Sequence, residues 1–166
     1  KKYPNPKLIH EIDITKIENE LLEEDDLHVD IRNIAYRYMF NGLGKKSSKK
    51  LDNFEKHEFT ADRELIKKKN KEIEFYRNYG VSGITDEAIK KSLKKFDQKY
   101  QKFNKKLAES KFLKGDEMSI LDIAWFIYTY RLHISGFSFR EKYPNVLKWY
   151  LRLFNRREFR KELNDN

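Results

Sequence analysis

The stretch Lys114–Phe126, "KGDEMSILDIAWF", limits the fold of this chain more than any other. A polar turn runs straight into a segment, Ile120–Leu132, in which only Asp122, Thr129 and Arg131 are polar. A helix that is apolar on every side is buried on every side. This segment is therefore expected to be the central post of an all-α helical bundle. Its start carries Ser119-x-x-Asp122, the pattern of a capping box, preceded by Gly115-Asp116 as the turn. A buried helix start leaves backbone N–H groups away from water, so a strong structural cap from Ser119 and Asp122 is expected there.

The rest of the chain supplies amphipathic partners for the post. A first helix is expected from the Thr15-Lys16-Ile17-Glu18 capping box to about Phe40, with Leu27, Ile31, Ile34, Ala35 and Tyr38 as its apolar row. The following "NGLGKKSSKKLDNFEKHEF" reads as a mobile loop. A second helix fits Ala61–Tyr79, capped by Thr60 and ended by Gly80. A third, from Asp86 to about Glu109, carries one stripe of Ile89, Leu93, Phe96, Tyr100, Phe103 and Leu107, with lysines forming a solvated back face. Pro144 opens a last long helix, whose Val146, Leu147, Trp149, Tyr150, Leu153 and Phe154 are expected to face the post. A short basic segment ends the chain.

Charge and composition exclude several functions. The 166 residues carry a formal charge of +9. A basic surface attracts anions, nucleic acid among them. The aromatic side chains, however, lie in the buried stripes rather than exposed among the cations, so base stacking and nucleic-acid binding are not expected. The absence of cysteine removes disulfides and thiolate chemistry. His10, His28, His57 and His133 have no metal-ligand spacing, and the acidic run Glu23–Asp26 with Asp30 reads as a solvated helix turn, so no metal is expected. Ser119, Asp122 and His133 are read as a cap and a separate histidine, not a catalytic triad. No apolar run is long enough to cross a membrane, and no signal peptide is visible. A cytoplasmic location is expected.

"FLKGDEMSILDIAWF" followed by "GFSFREKYPNVLKWYLRLFNRREF" resembles the C-terminal helical domain of glutathione transferases. The resemblance rests on Leu113, Gly115-Asp116, Ser119 with Asp122, Tyr143-Pro144, Trp149 and Arg156 or Arg157. "YPNPKL" resembles the segment that joins the family's thioredoxin-like domain to its helical domain. "LHVDIRNIAYRYMF" and "EIEFYRNYGVSGITDEAI" are similar to bacterial members related to lignin β-etherases and reductive dehalogenases.

The resemblance implies a division of the chain: residues 1–14 as a linker from an upstream thioredoxin-like domain, and residues 15–166 as the helical domain. The missing initiator Met fits that expectation. It also implies a homodimer, with glutathione as cosubstrate held mainly by the upstream domain. No catalytic residue is then expected in this chain, which alone would be inactive. The helical half would line the pocket for a small, apolar or aromatic electrophile. His28, Arg32, Tyr36, Met39 and Phe40 form a row beside the apolar row of the first helix and are the candidate substrate-binding residues. Arg32 would grip an anion, and Tyr36 would donate a hydrogen bond or stack on a ring. The competing expectation is a non-catalytic docking module of the same fold, binding protein or RNA.

Overall fold

The computed structural model describes residues 8–9, 14–39, 47–57, 60 and 62–164. Nine helices follow one another among them: α1 Ile14–Asp25, α2 His28–Tyr38, α3 Ser48–Lys56, α4 Arg63–Ser82, α5 Asp86–Lys106, α6 Ile120–Ile134, α7 Phe139–Lys142, α8 Pro144–Phe154 and α9 Arg157–Asn164. No β-strand occurs among the described residues, only an isolated bridge between Phe112 and Gly115. The fold is the expected all-α one, with α6 against α1, α2 and α8, and α5 against α2 and α8.

The α6 cap is built as its sequence suggests. Ser119 and Asp122 form a capping box. Asp122 Oδ2 accepts the Ser119 N–H and the Ser119 hydroxyl, each at 2.8 Å. Its other oxygen reaches further. Oδ1 accepts the Leu113 N–H at 2.9 Å and the Trp149 indole N–H at 2.8 Å. One fully buried carboxylate therefore ties together the preceding turn, the start of α6 and the middle of α8. The turn closes through paired bonds between Phe112 and Gly115, and Gly115 takes φ +129, a conformation that favours glycine.

The core forms where the apolar stripes meet. Phe96 and Tyr100 of α5 are buried against Trp125 and Tyr128 of α6, and Val146, Trp149, Tyr150 and Leu153 of α8 complete the packing. Tyr100 and Thr129 share a buried hydroxyl–hydroxyl hydrogen bond at 2.9 Å, which satisfies the polar end of each in the interior.

The structure corrects the sequence reading at several places. The first helix is two helices, broken at Asp26–Leu27, where buried Leu27 leaves helical geometry with ψ +4. Thr15 lies inside α1 rather than at its cap. Tyr38, the last residue of α2, is 55% exposed, while Ile34 and Ala35 before it are buried. The supposed loop contains α3, capped by Ser47 and anchored by buried Leu51. Helix α4 is capped by Asp62, whose carboxylate accepts from Glu64 and Leu65 N–H, and it runs through Gly80 to Gly83 at φ +70. The basic tail is helical and packs Phe159 edge-on to Phe126 of α6, with centroids 4.6 Å apart. Asp30 is buried rather than solvated, accepting from Ser92 Oγ at 2.8 Å and Lys95 Nζ at 2.6 Å.

The post itself is not buried all round. Ile127 is 38% exposed and Ile134 42%, and Ile123 is only partly covered. The helices that lean on α6 come from one side. On the other, α6 and α9 leave an open apolar groove of about 350 Å³, lined by Met118, Ile123, Phe126, Ile127, Phe159 and Leu163. The apolar character of α6 thus exceeds what the described residues cover.

Candidate functional site

The candidate row on α2 faces two neighbours. Arg32 and Tyr36 turn to α4, while His28 turns to α6. Arg32 Nη1 donates to Glu72 Oε2 at 2.6 Å, and its side chain is only 12% exposed. The guanidinium lies 4.8 Å from the Phe75 ring centroid and 5.5 Å from that of Tyr76. A charge so placed is held by an ion pair and two ring faces.

Tyr36 sits in an aromatic cluster with Phe75, Tyr76 and Tyr79 of α4, at centroid distances of 5.8, 6.3 and 5.1 Å. Its hydroxyl shares a hydrogen bond with that of Tyr76 at 3.1 Å. Met39 closes α2, its N–H bonded to Ala35 O at 2.8 Å, and its side chain is exposed. Phe40 lies outside the described residues. The structure therefore brings Arg32 and Tyr36 of α2 together against α4.

His28 belongs to a second group. Its Nδ1 lies 3.3 Å from the Tyr128 hydroxyl. Glu24 stands near enough for its carboxyl and the Tyr128 hydroxyl to act on one another. Burial pulls the His28 imidazole below its ordinary value, and the charge of Arg32 adds to this. Burial raises the Glu24 carboxyl, against the Tyr128 hydrogen bond that favours its charged form. Burial, then the charge of Glu24, pushes the Tyr128 phenol up. Three titratable groups where the α1–α2 break meets α6 are thus displaced, each first by partial desolvation, with Glu24 and Tyr128 also acting on one another. Sequence reasoning missed Glu24 and Tyr128 as members. Tyr128 stood among apolar residues and read as core, which it also is, with its ring buried and only its hydroxyl engaged in the group.

The acidic run disperses rather than converging. Glu23 pairs with Lys99, Asp25 with Lys68 and Asp30 with Lys95. No cluster of three or more possible metal ligands occurs among the described residues. His133 lies against the Tyr150 ring, 5.3 Å between centroids, apart from the Ser119–Asp122 cap.

Residues 54–157, from the end of α3 to the start of α9, match the family described as glutathione S-transferase, C-terminal domain. The chain belongs to that family. The match takes in the Asp122 hub and α4 with its aromatic face, while α1 and the whole α2 row lie before it. Comparison with curated proteins and with solved structures found no match. In this glutathione S-transferase C-terminal domain, no helix among the described residues is long and apolar enough to cross a membrane.

Proposed function

We propose that this chain is the helical half of a glutathione-transferase-like enzyme, one in which a thioredoxin-like domain holds and activates glutathione. The helical half then forms one wall of the pocket for a small electrophile. Family membership supports the helical part of this reading. The observation that carries the two-domain part is the uncovered apolar groove between α6 and α9. Arg156, Glu158 and Glu162 edge the groove, and a partner seated on it removes its apolar lining from water. The Leu8 carbonyl accepts the Ile120 N–H at 3.0 Å, so the chain before α1 passes the start of α6, within a turn of Ile123. A thioredoxin-like domain joined through that segment reaches the groove.

In this reading the electrophile meets α2 and the aromatic face of α4. Tyr36, Met39 and Tyr76 offer ring and thioether surface, with Phe40 next along the row. Arg32, fixed by Glu72, supplies a positive field towards the negative charge that builds as a thiolate attacks. His28, neutral near pH 7 because burial lowers its pKa, offers a hydrogen bond without adding charge. Family membership also supports a homodimer as the form of the complete enzyme. The test is glutathione-dependent conjugation of a reactive aryl halide. The 166 residues alone are expected to show no turnover above a protein-free control, and the same chain joined to a thioredoxin-like domain is expected to turn over. Turnover by the chain alone would overturn the division of labour.

A further inference from the structure

Asp30 stands two residues before Arg32 on α2, a step of about 200° around the helix. The two side chains therefore leave α2 on nearly opposite sides. Arg32 turns to α4, where it meets Glu72. Asp30 turns to α5 and is buried, its carboxylate accepting from Ser92 Oγ at 2.8 Å and from Lys95 Nζ at 2.6 Å. Asn33, one turn along α2, donates through Nδ2 to the same Ser92 oxygen at 3.1 Å. Ser92 is fully buried where α2 meets α5, so one hydroxyl joins two side chains of α2 inside that contact.

The apolar part of the contact is repetitive. Ile31, Ile34 and Ala35 of α2 are buried, and α5 brings Ile89, Leu93 and Phe96 at steps of four and three. Apolar burial has no direction, so such stripes tolerate a roll or slide that hydrogen bonds, with their narrow angles, do not. Helix α2 has 11 residues, too few to be stable alone, and takes its seat from what packs on it. At its far end Arg37 donates to Ile84 O at 2.6 Å and to Asp86 Oδ1 at 2.5 Å, but both charged groups there are exposed, and ties of that kind contribute little. A buried ion pair adds little net stability over well-packed apolar side chains; its best-attested use is to fix register.

We propose that Asp30, with Ser92, Asn33 and Lys95, is a register lock that selects one seat of α2 on α5 and so sets where Arg32 and Tyr36 meet α4. Asp30 is a positioning residue, acting through the rotation of α2. The lock belongs to α2 and α5 alone; only its consequence for a substrate rests on the function proposed above.

The test is nuclear magnetic resonance of the 166-residue chain, reading the contact between the Tyr36 and Tyr79 rings, whose centroids lie 5.1 Å apart. D30L/S92A replaces both buried partners by apolar side chains. It is expected to keep a cooperative melt within about 4 °C of the wild type, yet to lose the Tyr36–Tyr79 contact or to split the Tyr36 signals into more than one set. Asp30→Asn keeps the shape and an acceptor for Ser92, and is expected to keep the contact in a single set. Lys95→Met removes only the half-exposed partner and is expected to weaken the contact partway, a readout that stands even where the double variant does not fold. A wild-type contact in D30L/S92A, a wild-type contact in Lys95→Met where the double variant is unfolded, or equal losses in Asp30→Asn and D30L/S92A would each overturn the proposal. Kinetics of D30L/S92A in the protein with its thioredoxin-like domain separate the lock from the site. A displaced Tyr36 with unchanged kcat/KM would leave the lock standing and remove the α2 row from the substrate wall.

Discussion

Asp122 Oδ1 accepts the indole N–H of Trp149 at 2.8 Å across 27 residues of sequence, while Oδ2 of the same carboxylate holds the start of α6. The residue is thus less a cap with one bond than a buried hub with four donors. Asp122→Ala strands the Leu113, Ser119 and Trp149 N–H groups in the interior. Each buried group left unpaired costs about 1–3 kcal/mol. We expect a loss of at least ~3 kcal/mol in denaturant melts. Ser119→Ala removes only the hydroxyl and is expected to cost about 1 kcal/mol. Equal losses for the two would show that Asp122 acts at the helix end alone.

The pH dependence of stability follows from His28. Its folded pKa lies below the ordinary 6.5, so the unfolded chain takes up the proton first as pH falls. The penalty is absent well above pH 6.5 and grows as pH falls through 6.5 towards the folded value. Glu24, whose pKa is raised above 4.5, acts in the opposite sense: its contribution is present at low pH and is lost as pH rises from 4.5 through its folded value. His28→Gln is therefore expected to flatten the fall in melting temperature on moving from neutral pH to just below 6.5. A slope identical to wild type would show that His28 does not titrate with folding.

The α2 row makes a separate forecast for the enzyme with its thioredoxin-like domain. Tyr36→Phe removes the hydroxyl that meets Tyr76 and keeps the ring in its cluster. We expect a lower kcat/KM with a melting temperature changed by no more than about 2–4 °C, the equivalent of ~1 kcal/mol. Arg32→Lys gives up the planar contact with Phe75 and Tyr76, and is expected to reduce turnover of an anionic electrophile more than a neutral one. Unchanged kcat/KM in both variants for both substrate types would confine these residues to packing.

The helical fold was readable in the sequence because each main contact repeats locally. The α5 stripe steps by three and four, and Ser119-x-x-Asp122 fits within one turn. What the sequence hid was long-range or subtractive. Nothing near Trp149 says that its indole reaches a carboxylate 27 residues back. The break at Leu27 was hidden because Leu27 and Ile31 keep the helical spacing across it. The site row was legible as a row, but not its partners. Glu72, Phe75 and Tyr76 come to it from α4, across a segment in which α3 went unseen behind lysines and serines. The exposed side of α6 was misread because an apolar residue looks the same in sequence whether it ends up covered or exposed.

The uncovered groove offers the most direct test. The chain has no cysteine, so Ile127→Cys places one thiol in the groove and Leu151→Cys places one on the exposed side of α8. Maleimide labelling of these two sites is followed by peptide mass, in the chain alone and in the protein carrying a thioredoxin-like domain. The account predicts rapid labelling of both in the chain alone, and strong slowing at residue 127 but not at 151 once the domain is present. Equal labelling of residue 127 with and without the domain would contradict it.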